Sequence, residues 1–238
     1  MSTRISSHAT HVGQFGSLIN AYLVEEDDGL TLIDALQGDQ SKKILEAAAK
    51  LGQPVKRILL THAHPDHVGA VDALVAQLGE SVELIVGSRE ARAMNEGIKL
   101  EAGEPTNGNL GKQRADSIRA AKPTRLIEDG ARIGSLKAVW SPGHSLGHLA
   151  YLDERDGTLY CGDVYSTIGG VATTAGPFWR FPLPGAVTWH RPTVLNSART
   201  LAALSPKRLC PGHGKTVEDP TNAMRAAIAR RSEVDRAA

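Results

Sequence analysis

The sequence predicts a mixed α/β protein, and three observations carry that expectation. Short apolar runs alternate with stretches of helical spacing through the first half of the chain, as in Leu30 to Ile33, Asp39 to Leu51 and Ile58 to Leu60. Four apolar runs end in turns that hold histidine or aspartate: Ile58-Leu59-Leu60, Leu136 to Trp140, Leu159-Tyr160-Cys161 and Leu209-Cys210. The composition, 41% apolar and 22% charged over 238 residues, suits one large domain that buries its own core.

In order along the chain, Val12 to Glu26 and Leu30 to Ile33 read as strands of a hairpin turning at Asp27-Asp28-Gly29. The second strand delivers Asp34, an acid at the end of an apolar run, where an unpaired carboxylate is costly. It is read either as a loop cap or as a residue supporting a site. Ile44, Leu45, Ala48 and Leu51 give the next segment helical spacing, stopped by Gly52 with Pro54 beyond.

The chain is organised around Ile58-Leu-Leu-Thr-His-Ala-His-Pro-Asp-His-Val-Gly69. A strand from Arg57 to Leu60 that stops at Thr61 aims His62 and His64 to one side, since side chains two apart in extended chain share a face. Pro65 holds His64 out of helical geometry. Asp66 is expected to cap a helix starting near His67, so Asp66 and His67 approach from another direction. Two metal ions suit that arrangement better than one. Val68 to Leu78 should continue as helix to Gly79, and Val82 to Val86 as a strand.

Residues 97–124 break the rhythm with Gly97, Gly103, Pro105, Asn107-Gly108, Gly111 and Pro123. This polar excursion carries Lys99, Lys112, Arg114, Arg119 and Lys122, with Arg125 just past it, against Glu101, Glu104 and Asp116. A solvated surface is the preferred reading, an anion-attracting lid the other. Beyond it, the strand Leu136–Trp140 leads to Ser141-Pro-Gly-His144, and His148 opens a further strand, Leu149 to Leu152. Leu159-Tyr160-Cys161 delivers Gly162-Asp163, and Leu209-Cys210 leads through Pro211-Gly212 to His213. A helix closes at Arg199 to Leu204, and another is expected over about Asn222 to Asp235. Strand ends supply the rigidity a metal site needs.

His62-x-His64-x-Asp66-His67 resembles the signature of the metallo-β-lactamase superfamily, and Gly143-His144-Ser-Leu-Gly-His148 resembles its second histidine motif. The resemblance implies a four-layered αββα sandwich with a dinuclear site at one edge. It implies that His62, His64 and His144 hold one metal, that Asp66, His67 and His213 hold the other, and that Asp163 bridges them. It makes His148 structural and Asp34 a support to the ligands. Nitrogen and carboxylate donors suit two zinc ions first, with iron, manganese or cobalt chemically acceptable.

Such a site implies a metal-bridging hydroxide that attacks an ester, lactone or thioester of a small organic substrate, with lactone the first choice. Asp66 would carry the proton to the leaving group. Five of the ten aromatic residues, Tyr165, Phe178, Trp179, Phe181 and Trp189, fall within 164–192. They are expected to line or cover the site and to favour a substrate with an apolar portion; internal packing or a homodimer contact is the alternative. Tyr165 would hold the substrate oxygen, as a tyrosine does in some related lactonases, although its spacing from Asp163 differs.

Hydroxyacylglutathione hydrolases carry a helical extension after the last histidine, where one helix's worth of chain follows His213 here. Their substrate is therefore not the first expectation, and neither are β-lactam antibiotics. The rival activity is iron redox chemistry of the persulfide-dioxygenase kind; a non-catalytic ligand-binding protein is the remaining alternative. The formal charge of +1 argues for neither nucleic acid nor an anionic membrane as partner. Without an export segment or an apolar span of about 18 residues, the expected compartment is the cytoplasm. Cys161 and Cys210 are expected as buried thiols, and His8, His11 and His190 as surface or packing residues.

Overall fold

The computed structural model describes residues 2–112 and 120–237. The chain divides into two compact units, Met1–Gly97 with Arg114–Glu128 and Ile98–Gln113 with Asp129–Ala238.

In the first unit, β1 (Ser2–Arg4), β2 (Ala9–Gln14), β3 (Ile19–Glu26) and β4 (Gly29–Ile33) form an antiparallel meander. The helix α1 (Ser41–Leu51) then crosses to β5 (Val55–Leu59), which pairs parallel to β4. Parallel neighbours need such a crossover. α2 (Pro65–Val68) and α3 (Val71–Leu78) lead to β6 (Glu83–Gly87), and α4 (Ser88–Glu96) precedes β7 (Arg125–Ile127), both strands again parallel to their neighbours. The result among the described residues is a seven-stranded sheet in chain order. Every residue of β4 is buried, which explains its uninterrupted apolar sequence.

Three local expectations change. The long strand from Val12 is two strands, because Phe15 and Gly16 turn back with positive φ and Gln14 pairs with Ile19. Asp66 does not cap a helix: His64 is the N-cap and Pro65 opens α2, since its fixed φ suits a first helical position and it has no N–H to satisfy. Asp66 lies inside the first turn, where the helix dipole favours a carboxylate. The helix expected over Val68 to Leu78 is also broken. The N–H groups of Gly69 and Ala70 turn to the carbonyls of Leu36 and Ala35, and a Cβ on Gly69 would meet Gly38 N at 2.1 Å.

In the second unit, β8 (Arg132–Ile133), β9 (Leu136–Trp140), β10 (Leu149–Asp153) and β11 (Thr158–Gly162) form another antiparallel meander. A small ribbon of β12 (Tyr165–Ser166) and β13 (Ala172–Thr173) follows, then α5 (Leu183–Val187) and α6 (Arg191–Ala203). β14 (Arg208–Pro211) returns parallel to β11, β15 (Val217–Glu218) pairs antiparallel to β14, and α7 (Thr221–Ala237) ends the description. Val194, Leu195, Ala198, Leu201 and Ala202 of α6 and Met224 and Ala227 of α7 share one core cluster with Val139, Leu159 and Leu209 of the strands. Each unit is thus a sheet with helices of its own.

Of the polar excursion, Lys99, Lys122 and Arg125 are exposed, in keeping with a solvated surface. Asp72 accepts the backbone N–H groups of Ala120 and Ala121 at 3.2 and 2.8 Å and anchors its end. Arg114, Asp116 and Arg119 lie outside the described residues. Among the described residues no helix is long and apolar enough to cross a membrane.

Candidate metal centre

In the first unit the ligand loop follows β5, and a second loop following β4 braces it. Asp34 N donates to Leu59 O, which holds the two strand ends side by side. Asp34 and Leu36 take left-handed φ values of 57° and 60°, an uncommon conformation for residues with a Cβ. The buried Asp34 carboxylate accepts from Thr61 N and Thr61 Oγ1, both at 2.8 Å, and faces His67 Nδ1 at 2.8 Å.

These bonds assign the imidazole tautomers. The Thr61 hydroxyl gives its one proton to a carboxylate that only accepts, so His62 Nδ1, 3.0 Å away, is the donor to Thr61 Oγ1. His67 Nδ1 likewise donates to Asp34. Both rings therefore turn Nε2, with its lone pair, away from the brace, as a metal ligand requires.

A ring nitrogen of His62 lies within 4.8 Å of one on His64 and within 4.8 Å of one on His67, and His67 Nε2 is 4.0 Å from Asp66 Oδ2. His62, His64 and His67 are buried. Glu90, a buried carboxylate of α4, accepts Ala63 N at 2.8 Å and so fixes the backbone between His62 and His64. Sequence reasoning missed Glu90. Helix α4 buries Arg89 and Glu90 beside Ala91 and Ala93, so no apolar stripe announces it.

In the second unit, three strand ends deliver His144, Asp163 and His213. The turn carrying His144 is pinned by Gly143, at φ 120°, where a Cβ would lie 2.2 Å from Val194 N. Trp189 N and His190 N donate to the carbonyls of His144 and Gly143 at 3.0 and 2.9 Å. Asp163 Oδ2 lies 3.3 Å from His144 Nε2 and 3.1 Å from His213 Nε2, and all three side chains are buried.

His148 is structural, as the sequence implied. Its Nε2 accepts Asp163 N at 3.1 Å and its Nδ1 pairs with Ser141 Oγ at 2.9 Å, so neither nitrogen is left for a metal. Burial pushes the thiols of Cys161 and Cys210 up, which keeps them protonated and out of the donor set. His190 caps α6 by accepting Thr193 N, and His11 pairs with Asn20 Oδ1 at 2.7 Å against Tyr22.

The aromatic segment separates into packing residues and presented ones. Tyr165 corrects the expectation: its ring lies in the core cluster and its hydroxyl donates to Ala198 O of α6 at 2.7 Å, so it has no proton to offer a substrate. Burial also pushes its phenol well above the usual range. Trp189 is 3% exposed and packs against Gly108. Phe178 and Phe181 pair across a short turn with Trp179 and Arg180 at its tip. Phe181 lies 5.6 Å from the His213 ring between centroids, while Trp179 is 78% exposed with the Arg180 guanidinium 4.6 Å above it.

Imidazole nitrogens held in the ligating tautomer and carboxylate oxygens, all without thiolate, form a donor set that fits divalent metal ions. The sequence matches the Metallo-beta-lactamase superfamily over residues 15–213, a span that contains every one of these side chains. The chain belongs to that superfamily. Its members are mostly metal-dependent hydrolases, and the mixed α/β fold described above is theirs.

The uncharacterized protein YobT of Bacillus subtilis (strain 168) is 39% identical over 213 residues, covering 88% of this chain and 89% of that protein. A hydroxyacylglutathione hydrolase of Shewanella pealeana is 28% identical over 155 residues, 62% of this chain, and the match spans 43% of that enzyme's length. The crystal structure of TTHA1623 in a di-iron-bound form superposes with a TM-score of 0.63 at 31% identity, covering 89% of this chain and 96% of that one.

Proposed function

We propose that this protein is a dinuclear metal-dependent hydrolase of esters, lactones or thioesters, with a lactone as the first candidate substrate. The observation that carries the reading is the buried Asp163 carboxylate held between the Nε2 atoms of His144 and His213. Three donor groups of this kind, all buried and converging within 3.3 Å, are a setting that a bound cation stabilises. One ion would be held by His62, His64 and His144 and the other by Asp66, His67 and His213, with Asp163 shared. This assignment follows the order of these residues in the superfamily's pattern. Zinc is the first expectation, and the di-iron form of TTHA1623 makes iron the second.

When bound, two such ions supply a Lewis acid and lower the pKa of water from about 15.7 toward neutrality. The chain's own residues do the rest. Asp34 holds the His67 imidazole directly and the His62 imidazole through Thr61, each in the ligating tautomer. The Asp66 carboxylate is the group assigned to carry a proton to the leaving group. Phe181 beside His213 gives an acyl group an apolar wall.

The test is elemental mass spectrometry of the purified protein beside the Asp163→Ala variant, with a panel of lactones, esters and thioesters. About two divalent ions per chain, with hydrolysis lost in the variant, is the expected result. A single iron with oxygen consumption on a thiol or persulfide would overturn the proposal in favour of redox chemistry.

A further inference from the structure

Resting on the metal-site reading above, we infer that Thr188, on the turn between α5 and α6, is a positioning residue that holds His144 in its ligating tautomer and links it to the backbone of Asp163. Thr188 is 3% exposed and its Oγ1 has three neighbours: Thr174 O at 2.7 Å, Pro184 O at 3.1 Å and His144 Nδ1 at 3.1 Å. A hydroxyl has one proton, and a carbonyl oxygen never donates. The proton goes to a carbonyl, with Thr174 O the shorter contact, and of the two remaining neighbours only the His144 ring can donate. His144 is therefore protonated on Nδ1, and its Nε2 points at Asp163 Oδ2, 3.3 Å away.

The same network reaches Asp163 from behind. Thr174 Oγ1 donates to Asp163 O at 2.5 Å, and Thr174 N donates to Val164 O at 3.1 Å. One residue after β13, Thr174, thus takes the Thr188 proton on its carbonyl and holds the backbone of the carboxylate ligand with its side chain. The ring of His144 and the main chain of Asp163 are tied to a common post. The bracing groups are two threonine hydroxyls and a backbone carbonyl, so they add no charge beside the Asp163 carboxylate.

Outer residues of this kind typically account for about 10–100-fold in metal affinity. Thr188→Val keeps the shape and removes the acceptor; Thr188→Ser keeps the hydroxyl. The measurement is zinc affinity by chelator competition for parent and both variants, with circular dichroism as a check on folding. Thr188→Val should bind zinc about 10–100-fold more weakly, and Thr188→Ser close to the parent. Equal affinity in folded Thr188→Val overturns the inference.

A second measurement does not depend on the variants folding: nitrogen-15 NMR of the histidine rings in the metal-free parent, with His144 assigned. Nδ1 should carry a proton, and an unprotonated Nδ1 overturns the inference. A parent that takes up no metal defeats the hydrolase reading, while the ring tautomer still decides what Thr188 does.

Discussion

The two units place an aspartate at the same point of the same plan and use it oppositely. In each, an antiparallel meander ends in a strand that is followed by an aspartate, Asp34 after β4 and Asp163 after β11. Each of those strands has a parallel neighbour that leads to a histidine, His62 beyond β5 and His213 beyond β14. Asp34 accepts from Thr61 twice and faces His67 Nδ1, the ring nitrogen opposite the proposed donor Nε2. Asp163 meets the Nε2 atoms of two histidines. A carboxylate that accepts from its own unit's donors acts as a brace, and one that faces two imidazole Nε2 atoms is placed as a candidate ligand. The second unit, having committed its aspartate, braces with neutral hydroxyls, Thr188 for His144 and Ser141 for His148.

The sharpest way to break the comparison is to exchange the fates of the two acids. Asp163→Ala should abolish hydrolysis and lower bound metal, read by elemental mass spectrometry, whereas Asp34→Ala should leave every assigned ligand in place. Asp34→Asn should weaken metal binding by about 10–100-fold, because one amide oxygen cannot take all three bonds and the amide NH2 is set against either the Thr61 N–H or the pair of Thr61 Oγ1 and His67 Nδ1. Equal losses of metal in Asp163→Ala and Asp34→Ala would erase the distinction between ligand and brace.

Glu90→Ala orphans the buried Ala63 N–H and should cost about 1–3 kcal/mol in urea unfolding of the metal-free protein. Glu90→Gln, which keeps an acceptor, should cost less. Tyr165→Phe removes one bond to Ala198 and should cost about 1 kcal/mol with kcat unchanged. A fall in kcat for that variant would return Tyr165 to the reaction.

The smallest effect concerns His190. Burial lowers its pKa from the ordinary 6.5, and its role as N-cap needs the neutral ring. Below that ordinary value the unfolded chain binds a proton the native ring refuses. Stability is therefore lost as pH falls through 6.5 toward the native pKa. His190→Asn keeps a capping oxygen, so its melting temperature should change less between pH 7 and 5 than the parent's, seen by calorimetry.

What the sequence by itself determined is the order of apolar runs and the chemistry at their ends. Strands β5, β9, β11 and β14 are legible because each is a short apolar run, and His62, His64, Asp66, His67, His144, Asp163 and His213 stand out as candidate donors because they follow within a few residues of those runs. His148 as a structural residue and Asp34 as a support were legible through the family pattern. Only the tertiary structure decided the rest. Tyr165 has the right type and a nearby position, yet α6 takes its hydroxyl, and no local pattern encodes where a helix 33 residues on will place a carbonyl. Glu90 and Thr188 reach residues 27 and 44 positions away, Ala63 and His144. Apolar periodicity reports which face of an element is buried; it does not report which distant donor a lone polar group will meet.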